Sequence, residues 1–114
     1  MKMNFKNTTE FQKDFKKLLK KFRSLDEDLN EFKKVLNEEP LGIGKHFNVI
    51  KKTDSLYVVK ARFFCKSLKK KDLRIIYAYS LGIDFIEIYF KGEKENEDYE
   101  RIKEYLKITS PNEL

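Results

Sequence analysis

Hydrophobic positions follow two regimes along the chain. From Phe11 to Leu36 they recur every three or four residues, whereas from Leu56 to Phe90 they gather in β-branched and aromatic runs separated by short polar breaks. The first pattern predicts amphipathic helices and the second predicts strands. Phe11, Phe15, Leu18, Leu19 and Phe22 form the apolar stripe of one helix, with lysines filling its other face. Thr8 or Thr9 can cap it, and Thr9 with Gln12 has the capping-box form, which Ser24 and Glu27 repeat for a second helix. Leu25, Leu29, Phe32 and Leu36 supply that helix's stripe, so the two make a helical hairpin or one long helix broken near Ser24. Pro40, Gly42 and Gly44 end it, because proline disfavours helix in the residue before it.

Lys45 to Lys51 is expected to form a short edge strand, with Phe47 and Val49 on one side, and Thr53-Asp54-Ser55 turns the chain. Three antiparallel strands should follow, over 56–64, 73–80 and 83–90, the first two joined by a loop from Cys65 to Asp72 and the last two by Leu81-Gly82. Alternation places Leu56, Val58, Lys60, Arg62 and Phe64 on one face and Tyr57, Val59, Ala61 and Phe63 on the other. In the next strand Arg74, Ile76, Ala78 and Ser80 oppose Leu73, Ile75, Tyr77 and Tyr79, the tyrosines filling core positions. In the last, Asp84, Ile86, Ile88 and Phe90 oppose Ile83, Phe85, Glu87 and Tyr89. Tyr99, Ile102 and Leu106, with acids ahead and Lys103 and Lys107 behind, predict a C-terminal helix before a frayed tail over 109–114. The expected fold is α+β, one domain over 1–114: an N-terminal helical hairpin on a small antiparallel sheet of about four strands, plus a C-terminal helix.

Charge changes this picture by singling out one face of the sheet. The net charge is +6, and residues 45–74 alone carry +8 while residues 24–44 and 75–114 carry −4 each. That asymmetry favours a polyanionic partner. Lysine and arginine are almost never fully buried unless paired, so Lys60, Arg62 and Arg74, set inside strands, imply a face open to solvent or to an anion. If Arg74 shares the face of Lys60 and Arg62, the three converge; the plainer alternatives are a solvated sheet face or pairing with Asp84 and Glu87. Lys66, Lys69, Lys70 and Lys71 are either a ligand-free charged loop or a patch that grips nucleic-acid backbone.

Other chemistry is thin. The single cysteine, Cys65, rules out an internal disulfide framework, and the single histidine, His46, has no close ligand partners, so no metal or cofactor is expected. Gly42 and Gly44 have no strand before them and no Gly-Lys-Ser/Thr opening a helix after them, which argues against a phosphate cradle. No apolar run nears the roughly 20 residues of a membrane span, and residues 1–5 lack an apolar leader core, so a cytoplasmic protein with no membrane partner is expected.

Order and spacing carry a likeness. Val59-Lys60-Ala61-Arg62, then Leu73-Arg74-Ile75-Ile76-Tyr77, then Ile86-Glu87-Ile88-Tyr89-Phe90-Lys91-Gly92, and finally Tyr99, resemble the basic strand, arginine-bearing strand and glycine-ended last strand of the RelE/ParE toxin superfamily. The resemblance runs from about Phe11 to Leu106. It implies the toxin of a toxin–antitoxin pair, neutralised by a small cognate antitoxin. The RelE-like branch cleaves messenger RNA, usually on the ribosome; the ParE-like branch instead poisons DNA gyrase on much the same scaffold, and an inactive homologue would only bind its antitoxin.

Metal-free RNA cleavage needs the 2′-hydroxyl deprotonated, the phosphorane's charge stabilised and the leaving 5′-oxygen protonated. Adjacent positive charge would lower the pKa of Lys60 and make it a base. Arg62 and Arg74 can hold phosphate oxygens through paired donors. The resemblance implies that Lys94 or Tyr99 supplies the remaining proton or stacks on a base, although Tyr99 suits a helix anchor as well. An endoribonuclease on translated messenger RNA is therefore the leading expectation, with gyrase binding the alternative.

Overall fold

A computed structural model describes residues 3–42, 44–68 and 70–109. The chain runs β1 (Phe5–Asn7), α1 (Thr9–Leu19), α2 (Leu25–Glu38), β2 (Phe47–Lys52), β3 (Tyr57–Cys65), β4 (Lys70–Tyr79), β5 (Ile83–Phe90) and α3 (Tyr99–Thr109). The α+β class stands, but the sheet has five strands in the order β1-β5-β4-β3-β2, and β1 lies parallel to β5. Three residues are too few to show a period, which is why β1 escapes a pattern search. It is fixed by its register, Phe5 against Ile83, and by the stacking of Phe5 on Phe85 at 5.9 Å.

The sheet is covered on both sides. Val59, Ala61 and Phe63 of β3 and Leu73, Ile75 and Tyr77 of β4 bury against Phe11, Leu18, Leu29, Phe32 and Leu36 of the two N-terminal helices. On the reverse face Val58, Ile76, Ala78 and Ile86 meet Ile102 and Leu106 of α3 in a smaller cluster. The alternation of β3 and β4 is the expected one, and Tyr77 is fully buried, its hydroxyl donating to the Pro40 carbonyl at 2.8 Å.

Strand β5 departs from simple alternation. Ile76 pairs with Glu87 but Tyr77 pairs with Phe85, so Ile86 is an extra residue in a bulge. The phase flips there: Phe85 and Ile88 both face the N-terminal helices, while Ile86 joins the α3 side. Past β1 the open edge of β5 is satisfied by side chains. Ile88 N donates to Asp14 Oδ2 at 3.3 Å, and the Ile86 carbonyl accepts from Arg101 Nη1 at 3.2 Å and Thr8 Oγ1 at 3.4 Å. Arg101 also pairs with Asp14 at 2.6 Å, tying α3 to α1.

Three local expectations change. Thr8 caps α1, its Oγ1 accepting from Phe11 N at 3.1 Å, so Thr9 and Gln12 do not form a box. The Ser24 side chain makes no cap bond; its hydroxyl donates to Asp28 Oδ2 at 2.7 Å and accepts from Ser67 N at 2.9 Å, anchoring the β3–β4 connection. Strand β4 begins at Lys70, which shortens the expected loop from both sides of the Cys65↔Lys70 pair. Thr109 is the last residue of α3, and residues 110–114 of the expected tail lie outside the described residues.

Candidate nucleic-acid interface

Lys60 and Arg62 share a face of β3 by alternation, and the register sets Arg74 of β4 directly opposite Arg62. Like charges placed opposite across a sheet are destabilising, so this pair is an unfavourable arrangement for stability alone. Together with His46, Asn48 and Lys91 they line a concavity of about 210 Å³. The backbone holds its rim: Arg62 N donates to the His46 carbonyl at 2.9 Å, just before β2 begins to pair. Among the described residues Arg62 is exposed and forms no ion pair, while Arg74 is half-buried and donates from Nη1 to the Leu73 carbonyl at 3.2 Å.

Lys60 is arranged differently from the expectation. Its Nζ donates to Glu97 Oε1 at 2.8 Å, and its side chain is 22% exposed against 6% for Glu97. Burial pulls the lysine pKa down, but the hydrogen bond that Lys60 donates to Glu97 and the coulombic influence of Tyr89 and Glu97 outweigh it, so the net direction is up. The expected lowering by neighbouring cations is thus corrected. A buried carboxylate brought in from the segment ahead of α3 keeps Lys60 charged. For Glu97 burial pushes the pKa up, and the Lys60 hydrogen bond reverses this to a net lowering.

Tyr89 faces Arg74 across the β4–β5 pairing and is 5% exposed. Burial raises its pKa and the nearby Lys60 ammonium counteracts part of that rise. Its hydroxyl has no hydrogen-bond partner of ordinary geometry among the described residues.

The other sequence candidates fall elsewhere. Lys94 pairs with Glu87, which is 1% exposed and also accepts from Asp98 N at 2.8 Å, and its ammonium lies 5.6 Å from the Tyr89 ring centre. These contacts hold Lys94 outside the concavity. Tyr99 opens α3, is 64% exposed, and lines a separate groove with Ile50, Lys51 and Lys103, so it neither anchors the helix nor joins the cations. Lys66 is exposed, its Nζ 3.7 Å from Glu27, on the α2 side. Lys69 and the side chains of Lys70 and Lys71 lie outside the described residues. Pattern reasoning missed His46, Lys91 and Glu97 as parts of this site. Lys91 shares its parity with Tyr89, but the bulge at Ile86 hid which face that is; no local pattern reports Glu97, because its partner is 37 residues away.

The arrangement can hold a dianionic or monoanionic phosphate between two guanidinium groups beside a charged lysine. No protein-family model matches the sequence, and no curated protein matches it. The structure is similar to a chain of the archaeal RelE–RelB complex from Pyrococcus horikoshii OT3, with a TM-score of 0.60 and 22% identity, over 81% of this chain and 98% of that one. At that identity the likeness establishes the fold, which is RelE-like.

Proposed function

We propose that the chain is the toxin of a toxin–antitoxin pair and acts as a metal-independent endoribonuclease at the basic concavity. The single observation that carries this is the convergence of Lys60, Arg62 and Arg74 in one hollow of a fold shared with a RelE–RelB complex chain. Arg62 and Arg74 would grip the non-bridging oxygens of the scissile phosphate and hold the charge that builds on the phosphorane.

Because Lys60 stays protonated, its role is charge stabilisation and proton donation to the leaving 5′-oxygen. The 2′-hydroxyl proton then needs another acceptor, and His46 on the rim is a side chain of the right class. The 2′-oxygen attacks phosphorus, the P–O5′ bond breaks, and the products are a 2′,3′-cyclic phosphate and a 5′-hydroxyl. An antitoxin partner and messenger RNA on the ribosome belong to the same proposal.

Expression of the wild type should arrest growth and leave new 5′-hydroxyl ends in translated messages, and Arg74→Ala with Arg62→Ala should abolish both. Arrest with intact message and accumulated cleaved DNA would move the target to gyrase. No arrest from a folded wild-type chain would overturn the proposal.

A further inference from the structure

On the other side of Arg62 from the concavity lies a second pocket of about 330 Å³, between α2 and the end of β3. The two hollows share Arg62 and His46. Their walls differ in kind. The second is built from the rings of Phe32, Phe47 and Phe64, and Phe64 is 51% exposed although it sits in a strand. One buried acid also lines it. Asp28 is 4% exposed; its Oδ2 accepts from Ser24 Oγ at 2.7 Å and from Lys66 N at 3.1 Å, and its Oδ1 is buried with no partner among the described residues. An unmet carboxylate oxygen is costly unless a donor reaches it.

We infer that this pocket is a nucleobase subsite, which rests on the reading of the neighbouring concavity as a phosphodiester site. A nucleotide whose phosphate lies between Arg62 and Arg74 would set its base past the Arg62 guanidinium, against the exposed Phe64 ring. Aromatic faces and a guanidinium plane are the surfaces on which single-stranded RNA bases stack. The volume lies at the low end of the ~300–1,000 Å³ span of small-ligand sites, which suits one ring system. The buried Asp28 carboxylate repels phosphate and the rings accept a flat apolar face, so the two hollows sort the two halves of one nucleotide. A purine, with the larger stacking face, is the base expected there.

The test uses fluorescence anisotropy with a 2′-deoxy-blocked single-stranded hexanucleotide carrying one guanosine in a uridine run. Two companions replace that guanosine with uridine or with an abasic residue. The guanosine probe should bind about tenfold or more tightly than the abasic one, the size expected for one stacked base. Phe64→Ala should bring guanosine down to the abasic level. Val35→Trp, which fills the pocket from a helix position 45% exposed, should likewise level the three probes.

Equal binding of guanosine and abasic probes, with Arg74→Ala still weakening both, would overturn the base subsite and leave the phosphate site standing. Absence of any Arg74-dependent binding would overturn the functional reading itself. If Phe64→Ala spares RNA affinity and breaks association with a partner protein, the pocket is a protein-docking site and the inference falls.

Discussion

The Lys60–Glu97 pair allows a prediction with a magnitude. At 2.8 Å the gross attraction in an effective dielectric of ~20 is about 6 kcal/mol, most of which is lost to desolvating two charges. Exposed pairs contribute about 0.2–1 kcal/mol and breaking a fully buried one costs ~3–5 kcal/mol. Side chains 6% and 22% exposed lie between these limits, which gives a coupling of about 2 kcal/mol. The two single variants should be unequal. Lys60→Met strands the more buried carboxylate and should cost ~3 kcal/mol, whereas Glu97→Gln leaves an ammonium that can turn to water and should cost ~1–2 kcal/mol. The double variant should recover the coupling in urea denaturation. Glu97 has its pKa lowered, so its share of stability is present above the ordinary glutamate value and is lost as pH falls through the folded value. Lys60 has its pKa raised, so its share is present below its ordinary value and is lost as pH rises through the folded one. The gap between wild type and Lys60→Met should hold steady between about pH 5 and pH 10 and narrow beyond either end. A coupling below ~0.5 kcal/mol, or a gap unchanged well below pH 4, would refute the reasoning.

Salt dependence and backbone strain give two more. Arg62→Ala and Arg74→Ala should each flatten the plot of log affinity against log salt for single-stranded RNA by about 0.7; an unchanged slope would place the phosphates elsewhere. Gly42 (φ +75°) and Gly44 (φ +80°) share a left-handed backbone, but a Cβ at Gly42 would lie 2.0 Å from the Phe47 ring while one at Gly44 meets nothing within 4 Å. Gly44→Ala should therefore cost only the ~1 kcal/mol of conformational strain and Gly42→Ala distinctly more, and equal thermal shifts would contradict this.

What was legible in the chain depended on whether pairing ran without interruption. Strand β3 keeps strict alternation from Tyr57 to Phe63, so the face shared by Lys60 and Arg62 followed from counting by two, whereas only the cross-strand register, Arg62 against Arg74, puts Arg74 on that face. Strand β5 did not yield to counting, because one bulged residue at Ile86 reverses the parity of everything after it. The helix stripes were readable, but the cap of α1 was left between two residues, since Thr8 and Thr9 are chemically alike and only the Phe11 hydrogen bond chooses Thr8 and excludes the Thr9–Gln12 box. The largest gap was electrostatic. Acids in the segment 93–98 look like a solvated run, yet Glu97 folds back onto a lysine of another strand and sets that lysine's protonation. Pairings over such separations leave no trace in local spacing.

The parallel pairing of Phe5–Asn7 with Ile83–Phe85 has a consequence for biogenesis. Synthesis is vectorial, so the first strand emerges from the ribosome long before its mate exists. The β2–β3–β4 meander can zip up as it emerges, through contacts close in sequence. The final edge can close only once β5 has cleared the exit. Closure of the sheet is thereby deferred until β5 has been synthesised, and a chain halted before Ile83 would expose its phenylalanine-lined underside to other nascent polypeptides.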